Sequence, residues 1–257
     1  MITQENEKRI APQKCPLCGN LQDVIVNGWI KGEKEGELLI NKDKGYSFCN
    51  CKNVFFTDWS NMKKEVYNQE YIDKYNGEPA IGCIKNYRIY LKKVLEFMVN
   101  YEGYRFLEIG STNDAILDEA KSMGFITTGL DISDRNSRHP FIHYNFEDWK
   151  SDNKYDFIFA SHIFEHFKEP LEAIKKCNQL LKNKGFLFIA MPDPYFIDWQ
   201  NPYVWGHWHL EEHHILWDMD SFAKELELRG FEILIKKHNI DYAFICINDF
   251  HILARKL

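Results

Sequence analysis

The sequence predicts an α/β fold built on a nucleotide-binding sheet, and three observations carry that expectation. The apolar run Phe106, Leu107, Ile109 stops at Gly110, polar residues follow, and Ile116, Leu117, Ala120 and Met123 then recur at helical spacing before a stop at Gly124. A second apolar run over 125–130 ends in Asp131, about 20 residues past Gly110, where such sheets grip a ribose diol because one carboxylate can accept two hydroxyl hydrogen bonds. Strand-like and helix-like stretches then keep alternating through the rest of the chain.

The later elements follow in order. Residues 141–144 read as a short third strand, and 154–160 as a fourth that ends in Ser161-His162. Pro170, at a first helical position, opens a helix over 171–181 with Leu171, Ile174 and Leu181 on one side. Residues 185–191 form the fifth strand, stopped by Pro192, and an irregular aromatic insertion runs over 193–217. A helix over 221–229 ends at Gly230, and 231–235 and 250–254 are the last strands. Ahead of the sheet, Ile84, Ile89, Leu91, Val94, Leu95 and Met98 predict a helix over 81–98, preceded by a polar stretch carrying Tyr67, Tyr71 and Tyr75.

At 257 residues the chain is long enough for one large domain, a small appendage and a well-buried core. Its 32 basic and 38 acidic side chains are interspersed and give a net charge of −6, which argues against a nucleic-acid face. No apolar run approaches a membrane span. The first nine residues are polar and hold no signal-peptide core, so the cytoplasm is the expected compartment. Seven cysteines are an odd count, and four of them form two tight pairs: Cys15-Pro16-Leu17-Cys18-Gly19 and Cys49-Asn50-Cys51. In a reducing compartment that spacing favours one tetrahedral, closed, structural zinc site, the second pair being Cys-x-Cys; four buried or free thiols are the alternative. Residues 1–57 are therefore expected to form a zinc-ribbon-like segment, with short strands at Val24-Ile25-Val26 and Leu38-Leu39-Ile40 around the turn 31–36. Residues 58–103 then form a helical linker and cap.

Glu108-Ile109-Gly110, with Asp131 ending the next strand, resembles the signature of class I S-adenosylmethionine-dependent methyltransferases. Residues 155–160 followed by Ile163-Phe164-Glu165-His166-Phe167 resemble that family's fourth-strand segment, and 180–187 the stretch before its fifth strand. The family pattern has a second glycine four residues after the first, where this chain has Asp114. With the cysteine pairs and the Tyr-rich linker, the chain is similar to bacterial methyltransferases that carry an N-terminal zinc-binding segment, many of which act on nucleotide-linked sugars or other surface-glycan precursors. The resemblance implies a Rossmann-like class I methyltransferase sheet over 104–257 and S-adenosylmethionine as cofactor. It implies a cofactor site of Glu108, Gly110, Asp114, Asp131, Ile132, Asn145, Phe146, Ala160 and His162, with Glu108 facing the cofactor's amino group and Asp131 its ribose. Asn145 and Phe146 would flank the adenine, and Ala160 and His162 the methionine part.

Methyl transfer from a sulfonium is an in-line displacement, so the protein must align the acceptor and supply a base for its proton. Histidine suits that role, and 206–214 is the richest supply: Gly206-His207-Trp208-His209-Leu210-Glu211-Glu212-His213-His214. Glu212-His213 resembles the Glu-His pair of the family's acceptor pocket, and His166 falls at a second matching position. His213 is the expected base, oriented by Glu212, with His166 as the second candidate. The expected acceptor is a sugar hydroxyl of a nucleotide-linked or surface-polysaccharide precursor; C- or N-methylation, or a non-sugar metabolite, is the alternative. His209-Leu210-Glu211-Glu212-His213 also fits the His-x-x-Glu-His pattern of a zinc-peptidase group. His162-Ile163-Phe164-Glu165-His166 fits it too, so at least one match is chance, and a zinc hydrolase and a non-catalytic binder rank behind the methyltransferase. Among the aromatics of the insertion (Tyr195, Phe196, Trp199, Tyr203, Trp205, Trp208), most are expected to pack a cap over the sheet and a few to wall a sugar ring.

Overall fold

The computed structural model describes residues 13–15, 17–22, 29–31, 38–40, 46–56, 88–89, 91–92, 94–208, 212–238 and 248–257. Six short strands come first, in three antiparallel pairs: β1 (Gln13–Lys14) with β2 (Leu21–Gln22), β3 (Trp29–Lys31) with β4 (Leu38–Ile40), and β5 (Tyr46–Phe48) with β6 (Val54–Phe56). Then follow β7 (Arg105–Ile109), α1 (Ala115–Ser122), β8 (Ile126–Asp131), β9 (Phe141–His143), β10 (Tyr155–Ser161), α2 (Pro170–Leu180) and β11 (Leu181–Pro192). The chain closes with β12 (Ile215–Leu216), α3 (Met219–Leu228), β13 (Phe231–His238) and β14 (Asp249–Lys256).

Seven of these strands form one sheet in the order β13-β14-β11-β10-β7-β8-β9, parallel except for the two pairings that β14 makes. This is the Rossmann-like architecture that the sequence predicts. Both faces are covered, which explains why the central strands are nearly continuous apolar runs. One face is aromatic: Phe106, Phe157, Phe159 and Phe188 pack with Ile116, Leu117 and Ala120 of α1. The other carries Leu107, Ile109, Ile158 and Ile189 against Ile174 and Cys177 of α2 and Phe222 and Leu226 of α3. β7 runs on through α1 to β8 on one side, whereas β10 and β11 lie on the other. The crevice at the carboxyl ends of β7 and β10 is thus a topological switch point, where open α/β sheets bind ligands.

Two differences from the expected elements have physical causes. β11 begins at Leu181, not at Gly185, because Leu181 already pairs with Tyr155 before the register shifts and Phe186 pairs with Phe157. Gly185 sits inside that irregularity, where an added Cβ would come within 2.9 Å of the Lys182 carbonyl oxygen. The insertion over 193–217 is also less irregular than expected. It holds 3₁₀ turns at Pro194–Phe196 and Pro202–Val204 and then β12, which pairs antiparallel with β6. Val24-Ile25-Val26, Tyr67, Tyr71, Tyr75 and most of the helix expected over 81–98 lie outside the described residues; the helical part that is described runs no further than Leu95.

Candidate active site

Strand register brings the chain exits of the crevice level with one another: Ile109 lies opposite Leu130 on β8 and Ala160 on β10, and Ala160 opposite Ile189 on β11. At the end of β7 the Gly110 N–H donates to the Leu130 carbonyl at 2.9 Å. Gly110 has φ +77°, and a Cβ there would stand 3.2 Å from Ile163 Cδ1, so this backbone can be bare only as glycine. Glu108 is buried, and its Oε2 accepts from Ser111 Oγ at 2.8 Å. Burial pushes its carboxyl up to about 8, against the opposing pull of Ser111 and Arg135. Asp131, ending β8, is buried too; Ser133 N and Ser133 Oγ both donate to its Oδ1, at 2.7 and 2.6 Å.

Asp114, standing where the family pattern has glycine, caps no helix end with its side chain. Its carboxylate turns to the loop after β8, accepting from Arg135 Nη1 and Ser137 Oγ at 2.7 Å and from Arg138 N at 2.9 Å. Burial raises that carboxyl, but the Arg138, Ser137 and Arg135 donors outweigh it and hold it at about 2. Arg135 also donates to the Ser111 carbonyl and lies over the Phe141 ring at 4.6 Å from its centre. The sequence gives no pattern that marks Arg135, yet it ties the turn after β7 to the loop after β8. Further out, the Ile132 carbonyl is bonded by His143, Asn145 accepts from Glu147 N, and Phe146 is buried against Phe167 with Lys176 over its ring.

The far side of the crevice is dense in histidine. His162 follows β10 with φ +52°; its Nε2 pairs with Asp249 Oδ2 at 2.9 Å and its Nδ1 stands 3.5 Å from Glu165 Oε1. His207 stacks on His162 with centroids 5.4 Å apart. His238 pairs with the buried Asp193 at the end of β11. Deeper in, one ligand atom each from Glu165, His166 and His213 lie within 4.8 Å of one another. Glu165 is 1% exposed, and neither of its carboxylate oxygens has a hydrogen-bond partner among the described residues. Burial raises its carboxyl, but His162 and His166 prevail and hold it below the usual range, so it is an anion. His214, next along, is pushed down to about 4 by burial, with His166 adding to the effect.

The carboxylate beside the two histidines is Glu165, which the sequence placed in the fourth-strand segment and in the second His-x-x-Glu-His match but not among the expected catalytic residues. Glu212 contributes its main-chain carbonyl, which accepts from His166 Nδ1 at 2.8 Å. His209 lies outside the described residues. The His162–His166 stretch lies on a strand exit and a 3₁₀ turn (Phe164–His166), so it does not offer the helix face that the peptidase pattern needs.

Two links place His213. His214 N–H donates to the Glu165 carbonyl at 2.7 Å, and Phe56 N–H donates to the His214 carbonyl at 3.0 Å, just before β12 joins β6. The cysteine segment is therefore part of the frame of this site. In it, Sγ atoms of Cys15, Cys18, Cys49 and Cys51 all lie within 4.8 Å of one another, with Cys18 and Cys49 at 3.3 Å. Asn53 follows that knuckle and bridges onward, Nδ2 donating to Ser221 Oγ at 2.7 Å and Oδ1 accepting from Asp218 N at 2.9 Å. Trp205 and Trp208 of the insertion are buried with Tyr46, Val54 and Phe56, while Tyr195 and Trp199 keep surface open to solvent.

The methyltransferase domain family matches residues 84–235, more than half of the chain, and the chain belongs to it. The chain thus carries a methyltransferase domain, and at its first turn Gly110 leaves the backbone bare beside the buried Glu108. A ubiquinone biosynthesis O-methyltransferase from Vibrio campbellii is 25% identical over 114 residues, which are 39% of this chain and 48% of that protein. The chain thus spans about half the length of that relative. Among solved structures, the plantazolicin methyltransferase BpumL in complex with SAH is similar at TM-score 0.56 and 14% identity, over 77% of this chain and 92% of that one. An S-adenosylmethionine-dependent methyltransferase from Clostridium acetobutylicum matches at 0.53 and 10% identity, over 67% and 91%. These structural likenesses speak for the fold. Among the described residues no helix is long and apolar enough to cross a membrane.

Proposed function

We propose that this methyltransferase O-methylates a sugar hydroxyl of a nucleotide-linked or surface-polysaccharide precursor, with the cofactor at the ends of β7 and β8 and the acceptor at the ends of β10 and β11. The observation that carries the acceptor half is the clustering of Glu165 with two imidazoles, His166 and His213, between the exit of β10 and the start of β12. S-adenosylmethionine supplies the electrophilic methyl. Asp131, held by Ser133 through one oxygen, keeps the other for a ribose hydroxyl, and Glu108 meets the positively charged amino group. Ile132, Asn145 and Phe146 border the adenine, Ala160 and His162 the methionine chain, and the Asp114–Arg135 pair holds the intervening loops in register. The hydroxyl proton is drawn off by the histidine cluster, with His213 foremost, His166 behind it and the 212–213 turn fixing both.

A hydroxyl as acceptor is supported by that cluster and by the O-methyltransferase named among the relatives. A sugar is supported by the resemblance of the whole chain and by Tyr195 and Trp199, whose open ring surface suits the C–H face of a sugar. The four thiols hold one structural zinc: with all four positions taken by sulfur it stabilises the segment and stays out of the chemistry. Metal analysis of protein purified without chelator should then find about one zinc held by thiolate per chain. The deciding experiment is mass spectrometry of products from labelled S-adenosylmethionine and a panel of nucleotide-linked sugars. Label on a sugar oxygen sustains the proposal; label only on carbon, nitrogen or a non-sugar acceptor refutes it.

A further inference from the structure

We propose that Glu165, His166 and His213 hold one first-row divalent cation, and that this ion, distinct from any metal of the four thiols, receives the acceptor hydroxyl. The proposal rests on the reading of this end of the crevice as the acceptor side. One carboxylate and two imidazoles form a set suited to zinc, cobalt or iron. Their ligand atoms already lie within 4.8 Å of one another, so a small inward movement brings them around a single ion.

Two further observations point to a positive charge at the centre. Glu165 is buried, and both of its oxygens lack a hydrogen-bond partner among the described residues. His162 Nδ1 stands 3.5 Å from Oε1, and a buried carboxylate met only at that distance gains from a cation placed against it. His166 gives the second. A carbonyl can only accept, so the contact with the Glu212 carbonyl makes Nδ1 the donor and turns Nε2 toward the cluster. That nitrogen stands 3.9 Å from Glu165 Oε1. An imidazole that donates its other N–H to a carbonyl is the usual outer support of a metal-bound histidine. The ligand set is also held in place by the main chain, since His214 N–H donates to the Glu165 carbonyl at 2.7 Å.

Three protein ligands leave a coordination position open, unlike the four thiols, which fill theirs. An acceptor hydroxyl in that position becomes more acidic and loses its proton to water; its oxygen keeps the electron pair that forms the new bond to the methyl carbon as the carbon–sulfur bond breaks. With the ion bound, the His213 lone pair goes to the metal, so His213 promotes proton loss through the ion and the direct transfer to His213 proposed above is replaced.

The test is calorimetric titration of the full chain with cobalt(II) after dialysis against citrate, with visible spectra recorded alongside. The expected result is one cobalt per chain whose absorption lacks thiolate charge transfer. Glu165→Gln and His213→Ala should each weaken it by at least about tenfold, while Cys18→Ser leaves it in place. Circular dichroism and S-adenosylmethionine titration of each variant establish that it is folded, and His166→Asn replaces either variant that is not. Absence of such binding in the wild type, or equal affinity in the folded variants, overturns the proposal. Cobalt bound as expected by a chain that methylates no sugar leaves the cation site standing and sinks the sugar assignment instead.

Discussion

At the ends of β7 and β8, each buried carboxylate is met by donors: Asp114 by Arg135, Ser137 and Arg138, Asp131 by Ser133, and Glu108 by Ser111. Across the crevice, Glu165 has no hydrogen-bond partner among the described residues, and Asp249 has one oxygen in the same condition. The donors of the first group come from the two loops that follow neighbouring parallel strands, β7 and β8. The second group is gathered from the exit of β10, the end of the insertion and the start of β14. Its negative charge is left for imidazoles, and we propose a cation, to balance.

That contrast can be broken in several ways. His213→Ala should lower single-turnover methyl transfer by about 10²–10⁴, the usual cost of losing a proton-handling group, with S-adenosylmethionine affinity unchanged by calorimetry. A variant that keeps its turnover would mean the histidine end is only scaffold. Asp131→Ala should do the converse. Cofactor affinity should fall by about 1.5–3 kcal/mol, while turnover at saturating cofactor is largely kept; intact affinity would remove Asp131 from the ribose.

The third test uses pH. Because burial lifts Glu108 to about 8, the ligand-free chain should hold it largely protonated at neutral pH, and the cationic amino group that we propose it meets should expel that proton on binding. Affinity for S-adenosylmethionine should therefore rise with pH, by up to about tenfold per unit, and level off above the carboxyl's own value. Glu108→Gln should flatten the profile; an unchanged slope in that variant would assign it to another group. The smallest effect is expected at the seam between the cysteine segment and the sheet. Asn53→Ala removes bonds to Ser221 and Asp218 and should cost about 1 kcal/mol for each in thermal unfolding, with cofactor affinity preserved. A loss of affinity there would show that the seam supports the cofactor end as well.

Short-range signals determined much of this protein. The break at Gly110, the carboxylate at Asp131, Pro170 at the start of α2 and Gly230 after α3 are each set by neighbours a few residues away, through periodicity and backbone conformation. The four cysteines were legible as one cluster because knuckle spacing is itself local. Tertiary structure alone decided which carboxylate joins the histidines. Glu212 is adjacent to His213 in sequence, yet at that turn its carbonyl, not its side chain, is bonded into the cluster. Glu165 arrives from the exit of β10, and it meets His213 because His214 bonds to its carbonyl and β12 pairs with β6. Such pairings between distant segments leave no periodic trace, since each strand is two or three residues long and its partner is fixed only when the insertion folds back over the sheet.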